Sequence, residues 1–454
     1  MKNYDVLIIG KGSSGYIMNQ AANEDLKVAL IDRPPIGGTC MNFGCIPSKT
    51  LIYPANLIRS LHSTSVRGIQ KSHIKTDFIV TMNKIRKNRE KSRESQYSHI
   101  NKLSKVDYYS GEAHFIDNNI IEVNSIELSA EKIFIANGAR PFIPPIKGLN
   151  DVDYLTNETV LELTNKPETM IIIGGGYIAL EFAHFLAAFG VKVTIIQRSS
   201  KLLSRLEPEI SERLEKEVKT YTKLLLNTEA VEVKDKSGKV EVVVENDEEK
   251  QILQADKVFV AAGRKSNADT LSLENTSIQT NKRGYIKVNK FFETEQKNVW
   301  AIGDINGKYM FKHVANLENR IAWYNATHKN SKSMDYSAVP YALYSFPEIA
   351  SVGLTEKKAK KKHNILVGKS EYKQVVKGSI MDDHHGFVKA IVEKDTNKLL
   401  GFHIIGPHAS ILIQEAVNVV ANNESIDFIT NSIHTFPSLS EIILKPLLNL
   451  EEIK

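Results

Sequence analysis

The sequence predicts an α/β protein of several domains, and three observations carry that prediction. A strand, a glycine turn and a helix open the chain. The same pattern returns near residue 170, and the texture changes beyond residue 336. A chain of 454 residues is expected to divide into two to four domains rather than grow one core. With 42% hydrophobic and 25% charged residues, it reads as an ordinary soluble protein.

The first unit starts with YDVLIIG, an apolar run that stops at glycine. GKGSSG follows, setting Gly10, Gly12 and Gly15 at GxGxxG spacing with Ser14 inside the turn. The next apolar run, VALID, ends at Asp32, with Arg33 after it. In this order the pieces form a βαβ unit. Its glycines let the backbone approach a pyrophosphate at a helix N-terminus, and its acid accepts hydrogen bonds from a ribose. TMIIIGGGYIALEFAHFLAAFGVKVTIIQ repeats the unit, with Gly174, Gly176 and Ala179 in the three small positions. Two Rossmann-like units predict two bound dinucleotides, a flavin and a nicotinamide.

The ends of the two second strands differ. The second offers Gln197-Arg198-Ser199, with Lys201 and Arg205 nearby and no acid. A carboxylate there would repel a 2′-phosphate, whereas Arg198 can hold one bidentately. NADPH is therefore expected over NADH, with NADH possible. Beyond residue 336, GFVKAIVEK and KLLGFHIIG flank DTN as an antiparallel hairpin, and ILIQEAVNVVANN reads as a helix. These make a third α/β domain.

The only two cysteines, Cys40 and Cys45, lie in GGTCMNFGCIPSKT. A structural staple, half of a metal site and a redox pair are the alternatives. No window is long and apolar enough to span a membrane, and the N-terminus lacks a secretory pattern, so a cytoplasmic location without membrane contact is expected. The lysine-rich stretches KIRKNREKSR (84–93) and EKKAKKKH (356–363) carry no interleaved aromatics and read as solvated helix surface, which excludes nucleic acid. The net charge of +6 still attracts anionic substrates or phosphate-bearing cofactors.

Together these motifs resemble the flavoprotein disulfide reductases, the pyridine nucleotide-disulfide oxidoreductase family of dihydrolipoamide dehydrogenase, glutathione reductase and mercuric reductase. Gly10, Gly12, Ser14, Gly15, Asp32 and Arg33 resemble the family's FAD fingerprint, and GGTCMNFGCIPSK, with Gly38 and Thr39, its redox-disulfide motif. IFIANGARPFIPPIKG (133–148), containing Gly138, resembles the exit from the first FAD lobe, with Asn137 where many members have threonine. VFVAAGRKSNADTLSLE, with Gly263 and Arg264, and VWAIGDI, with Gly303 and Asp304, resemble the return to it. VPYALYSFPEIASVGLTE resembles the start of a dimerisation domain.

The resemblance implies FAD-binding segments at 1–147 and 263–335, an NAD(P)-binding domain at 148–262 and a dimerisation domain at 336–454 of a homodimer. It assigns the flavin-side thiolate to Cys45 and exchange with substrate to Cys40. It brings Lys49 to the flavin and pairs it with Glu181, and makes Tyr177, next to Ile178, a gate over the nicotinamide pocket. Against this background a staple is unfavourable in a reducing compartment, and a zinc site lacks a second cysteine pair. The redox reading prevails.

One departure shapes the expected function. In the lipoamide and glutathione enzymes a His-Pro pair supplies an acid–base histidine; here SIHTFPSLSE puts Phe436 at that place, keeps Glu441, and offers His434 two residues earlier. Phenylalanine cannot move a proton. Mercuric reductases also carry Phe-Pro, but they use a C-terminal cysteine pair, and LLNLEEIK holds none. The expectation is an FAD-dependent NAD(P)H oxidoreductase that passes electrons through Cys40–Cys45 to a small-molecule oxidant or disulfide, such as hypothiocyanous acid or a reactive chlorine species. A lipoamide or glutathione-type disulfide reductase is the alternative, and a redox-inert flavoprotein sensor is the alternative from another class. No metal site is expected: Asp382, Asp383, His384 and His385 read as a solvated turn, and His184 and His403 as structural.

Overall fold

The computed structural model describes residues 1–63, 75–329, 331–383 and 385–452. The opening apolar run becomes β1 (Lys2–Ile9), and the glycine turn leads into α1 (Gly15–Asn23) and β2 (Val28–Asp32). The cysteine segment forms α2 (Gly38–Asn42) and α3 (Cys45–Ser63), followed by α4 (Phe78–Asn101). Strands β3 (Val106–Ser110), β4 (His114–Asp117), β5 (Ile120–Val123) and β6 (Ile126–Ile135) complete the order β3-β2-β1-β6-β5-β4. In β2 every residue is buried, as expected for a parallel strand covered on both faces.

After β7 (Ala139–Pro141) the second unit begins with β8 (Thr169–Ile173), α5 (Tyr177–Ala188), β9 (Lys192–Ile196), α6 (Pro208–Val218) and β10 (Lys223–Leu225). A three-stranded antiparallel sheet, β11 (Glu229–Lys236), β12 (Lys239–Glu245) and β13 (Lys250–Ala255), precedes β14 (Lys257–Val260), which pairs with β8. The chain then returns: β15 (Arg264–Ser266) pairs antiparallel with β7, and β16 (Val299–Ala301) joins β6 of the first sheet. The first unit is therefore split in sequence and whole in space. Helix α7 (Lys312–Thr327) runs from this return.

The third domain holds β17 (Tyr341–Leu343), β18 (Ile349–Gly353), α8 (Glu356–Ala359), β19 (Ile365–Glu371), α9 (Val376–Ile380), β20 (Phe387–Glu393) and β21 (Leu399–Ile405). Helices α10 (Ala409–Ala421), α11 (Asp427–Thr430) and α12 (Glu441–Leu444) and strand β22 (Leu450–Glu452) end it, with sheet order β17-β18-β21-β20-β19-β22. The expected hairpin is β20 and β21, in antiparallel register from Phe387–Ile405 onward.

Helix α5 joins the three parts. Its sequence is apolar on nearly every face, as a buried helix requires, and Ala179 to Leu186 are buried. It packs in one cluster with Leu51 and Ala55 of α3, Phe78 and Met82 of α4, and Ile349 and Phe387 of the third domain. An ion cluster adds a second tie. Lys389 of β20, 4% exposed, lies 3.0 Å from Glu207, 1% exposed at the N-cap of α6, and 2.7 Å from Glu356.

The basic stretch in α4 is not all solvated surface. Arg89 is buried, 2.6 Å from Glu162 and over the ring of Phe43, and Arg93 donates at 2.7 Å to Asn42 of α2. Its charges brace the cysteine segment, which the charge pattern alone did not show. Asp383 accepts from the backbone of His385 and Gly386, a turn as expected; His384 lies outside the described residues. His184 and His403 are buried in the core, with Nε2 2.7 Å from Asn56 Oδ1 and 3.0 Å from the Leu354 carbonyl respectively. Among the described residues, no helix is long and apolar enough to cross a membrane, and no cluster of three or more His, Cys, Asp or Glu could hold a metal.

Candidate active site

The glycine turn and the cysteine segment are built against each other. Gly38 has φ of 67°, and a Cβ on it would stand 2.6 Å from Gly12 Cα. Gly10, at φ 97°, leaves no more room: a Cβ would meet the Ala136 carbonyl at 2.5 Å. Side chains at either place would push the redox segment or β6 off the turn. Ser14 ties the turn by donating to the Gly10 carbonyl at 2.5 Å. Asp32, at the end of β2, accepts from the Gly37 amide at 3.1 Å, and burial raises its carboxyl to about 6.

Both cysteines are free thiols, Cys40 half-buried in α2 and Cys45 exposed at the first residue of α3. A hydrogen bond links the two thiols. That bond, aided by the Lys49 charge and opposed by burial, brings Cys45 down to about 6. The same bond, with burial, pushes Cys40 well above the ordinary thiol range. Lys49 donates to both oxygens of Glu181 at 2.8 Å, across from α3 to α5. The Tyr344 amide adds a 3.3 Å bond to Glu181, and its ring lies 4.7 Å from Lys49 Nζ.

These elements enclose a cleft of about 1260 Å³. It runs past Gly10, Gly12, Asp32, Arg33, Gly38, Thr39 and Gly138 to Cys40, Cys45 and Lys49, and on to Tyr177, Ile178 and Glu181, with Arg264, Gly303 and Asp304 along another wall. Arg264 lies 3.6 Å from Asp304 and donates to the Ala139 carbonyl. Burial raises Asp304, with Arg264 opposing. The Asp304 loop is set by Glu318 of α7, fully buried, which accepts from the Gly303 amide at 2.7 Å and Asn306 at 3.1 Å. Tyr177 stands edge-on between the Phe311 and Tyr341 rings, at 6.5 and 6.3 Å.

Drug-sized ligand sites run to roughly 300–1000 Å³, so a longer cleft with bare amides at its glycine turn and an acid at its end fits an extended dinucleotide. FAD would be held by Gly10, Gly12, Asp32, Gly38 and Asp304. Ser14, Gly15, Gly174, Gly176, Gly263, Gln197 and Arg198 lie outside the cleft's lining. Arg198 is 81% exposed beyond β9, with Glu229 at 3.8 Å. His434 and Glu441 are also outside it. His434 Nε2 is 3.0 Å from Glu415 of α10, and Glu441 opens α12, accepting from the Ser438 amide at 3.3 Å. Sequence reading missed Lys312, His313 and Tyr344, which line the same cleft. Their only signal was adjacency to the VWAIGDI and SFPEIASVG segments.

A dithiol at the meeting of two dinucleotide folds defines a disulfide-linked electron-transfer flavoprotein. Residues 4–318 match the pyridine nucleotide-disulphide oxidoreductase family, and residues 339–446 match its dimerisation domain. The chain belongs to that family, the class I flavoprotein disulfide reductases, and depends on FAD and a pyridine nucleotide. A mercuric reductase of Staphylococcus aureus is 32% identical over 97% of this chain and 81% of its own length. A dihydrolipoyl dehydrogenase of Bacillus subtilis (strain 168) is 33% identical over 97% and 96%. The solved Cu(II) complex of RclA, an HOCl-induced flavoprotein disulfide reductase of Escherichia coli, superposes with a TM-score of 0.89 at 28% identity, over 99% and 100% of the two chains.

Proposed function

We propose that this enzyme works as a homodimer and spends NADPH on reducing a small thiol-reactive oxidant, of the hypothiocyanous acid or reactive chlorine class, at Cys40. The observation that carries the reading is the C-terminal segment: Phe436 stands at the place of the acid–base histidine, 68% exposed, while His434 is engaged by Glu415. A thiolate leaving group needs a proton donor at that place; hypothiocyanous or hypochlorous acid takes up the proton of the attacking thiol as water and releases a weakly basic anion in the second step. RclA's description as HOCl-induced favours the same class for this chain.

Bound FAD supplies a two-electron relay between the nicotinamide and the cysteine pair. Tyr177 closes the nicotinamide side between its two aromatic neighbours. Lys49, fixed by Glu181, holds positive charge beside Cys45 and keeps it a thiolate. Cys40, in α2, meets the oxidant. Arg198 is free enough to turn onto a 2′-phosphate. The experiment is steady-state oxidation of NADPH and NADH by the FAD-loaded enzyme against hypothiocyanous acid, chlorine oxidants, lipoamide and glutathione disulfide. Fast turnover of the oxidants with NADPH is expected. Fast turnover of only a lipoamide or glutathione disulfide overturns the acceptor, and equal or better kcat/KM with NADH overturns the coenzyme assignment.

A further inference from the structure

A second cavity of about 430 Å³ shares Cys40, Gly12, Ser13, Lys312 and Asn316 with the dinucleotide cleft and extends from there to Lys11, Tyr16, Gln96 and Arg320. Three cations line it and no carboxylate does. Lys312 is the first residue of α7, so its charge adds to the positive end of a 16-residue helix. Its ammonium is anchored on neutral oxygens only: Asn316 Oδ1 at 2.8 Å, Ser13 Oγ at 3.0 Å and the Gly12 carbonyl at 3.4 Å. Since Gly38 lies directly on Gly12, those anchors hold the ammonium against the segment that carries Cys40.

Lys11, only 7% exposed, folds its ammonium over Gly15, and Arg320 lies across the Tyr16 ring at 5.7 Å. Among the described residues none of the three forms an ion pair. Burial lowers the Lys312 ammonium from its ordinary value, and both thiols draw it back up, so the charge and the sulfurs act on one another. Asp32 offsets the Lys11 charge and Arg320 is exposed, so Lys312 is the half-buried cation with no carboxylate acting on it, and a charge so placed is eased when an anion visits.

We propose that this chamber receives the small inorganic anion of the acceptor at Cys40, and that Lys312 is the residue that positions it. The proposal rests on the acceptor class argued above. With hypothiocyanous acid the Cys40 thiol attacks sulfur, its proton passes to the departing oxygen, the S–O bond breaks, and water leaves. The Cys45 thiolate then attacks Cys40 Sγ. The bond to the thiocyanate sulfur breaks, the Cys40–Cys45 disulfide forms, and thiocyanate departs as an anion. The cysteines lose two electrons and the acceptor gains them. Thiocyanate is weakly basic, so what its departure requires is positive charge rather than a proton, and the chamber holds that charge beside the sulfur.

The test uses the reduced, FAD-loaded enzyme and reads Cys40 by peptide mapping after alkylation with anionic iodoacetate or neutral iodoacetamide. Charge-lined clefts raise local counter-ion concentration by about 10–1000-fold. The iodoacetate-to-iodoacetamide rate ratio at Cys40 is therefore expected to fall by about tenfold in Lys312→Met, the lower end of that range, and to recover in Lys312→Arg. Thiocyanate at constant ionic strength protects Cys40 from both reagents in the wild type and in Lys312→Arg, and fails to do so in Lys312→Met. Arg320→Gln gives a smaller drop in the ratio, and circular dichroism with the melting temperature confirms that each variant is folded. An unchanged ratio in folded Lys312→Met, or no thiocyanate protection of the wild type, overturns the proposal. The alkylation ratio needs no turnover, so an enzyme that ignores hypothiocyanous acid and chlorine oxidants refutes the acceptor reading while the ratio still decides the chamber.

Discussion

Cys45 opens α3, where the helix's positive end favours a thiolate. The Cys40 thiol donates to it and Lys49 adds charge, and these outweigh burial to bring it down to about 6. Below pH 6 it is protonated and a poor nucleophile, so thiolate-dependent steps rise with pH through that value and level off above it. In the reduced enzyme, thiolate ultraviolet absorbance is expected to appear in a first step with a midpoint near 6. Cys40 follows in a later step, because the bond to Cys45 and burial push it up. Lys49→Met moves the first midpoint upward, since it removes the ammonium and leaves the Glu181 carboxylate, which raises the thiol, without its 2.8 Å partner. A wild-type midpoint in the ordinary thiol range overturns this account of the pair.

At the scale of elements, the tie between α6 and β20 is the sharpest case. Lys389 neutralises Glu207 and Glu356 in the interior, and removing one member of a buried pair costs roughly 3–5 kcal/mol because the other charge stays buried. Lys389→Met is expected to lower the melting temperature of the FAD-loaded enzyme, and Lys389→Met with Glu207→Gln to restore part of the loss. An unchanged melting temperature in the single variant would show that Glu207 finds water or a proton at no cost. This tie was invisible in the sequence, since its members lie in segments 182 residues apart. The two βαβ units were legible because glycine spacing and apolar runs are local signals. The role of Arg89 was not, because a charged heptad reads the same whether its arginine faces water or packs on Phe43 with a partner at Glu162. Lys312 was missed for a related reason: only folding brings α7 to the glycine turn.

At the scale of the molecule, the third domain leaves large apolar side chains open: Ile433 at 102% exposure, Ile411 at 70%, Phe436 at 68% and Phe428 at 61%. Single exposed residues mean little, but a set of this size on one domain is what a surface covered by a partner would leave on a single chain. The match to a dimerisation domain over residues 339–446 makes a second copy of this chain the partner of choice. Phe436 belongs to that set and His434 lies two residues before it, so if a second copy covers the set, the proton relay lost in sequence is lost at the interface, where a single chain could not display it. Sedimentation of the FAD-loaded enzyme is expected to give twice the chain mass. Ile433→Asp, which puts a charge on the most exposed of these side chains, is expected to yield monomers that keep bound flavin and are still reduced by NADPH, yet turn over the oxidant far more slowly. Fully active monomers would place the whole acceptor site within one chain and remove the interface from catalysis.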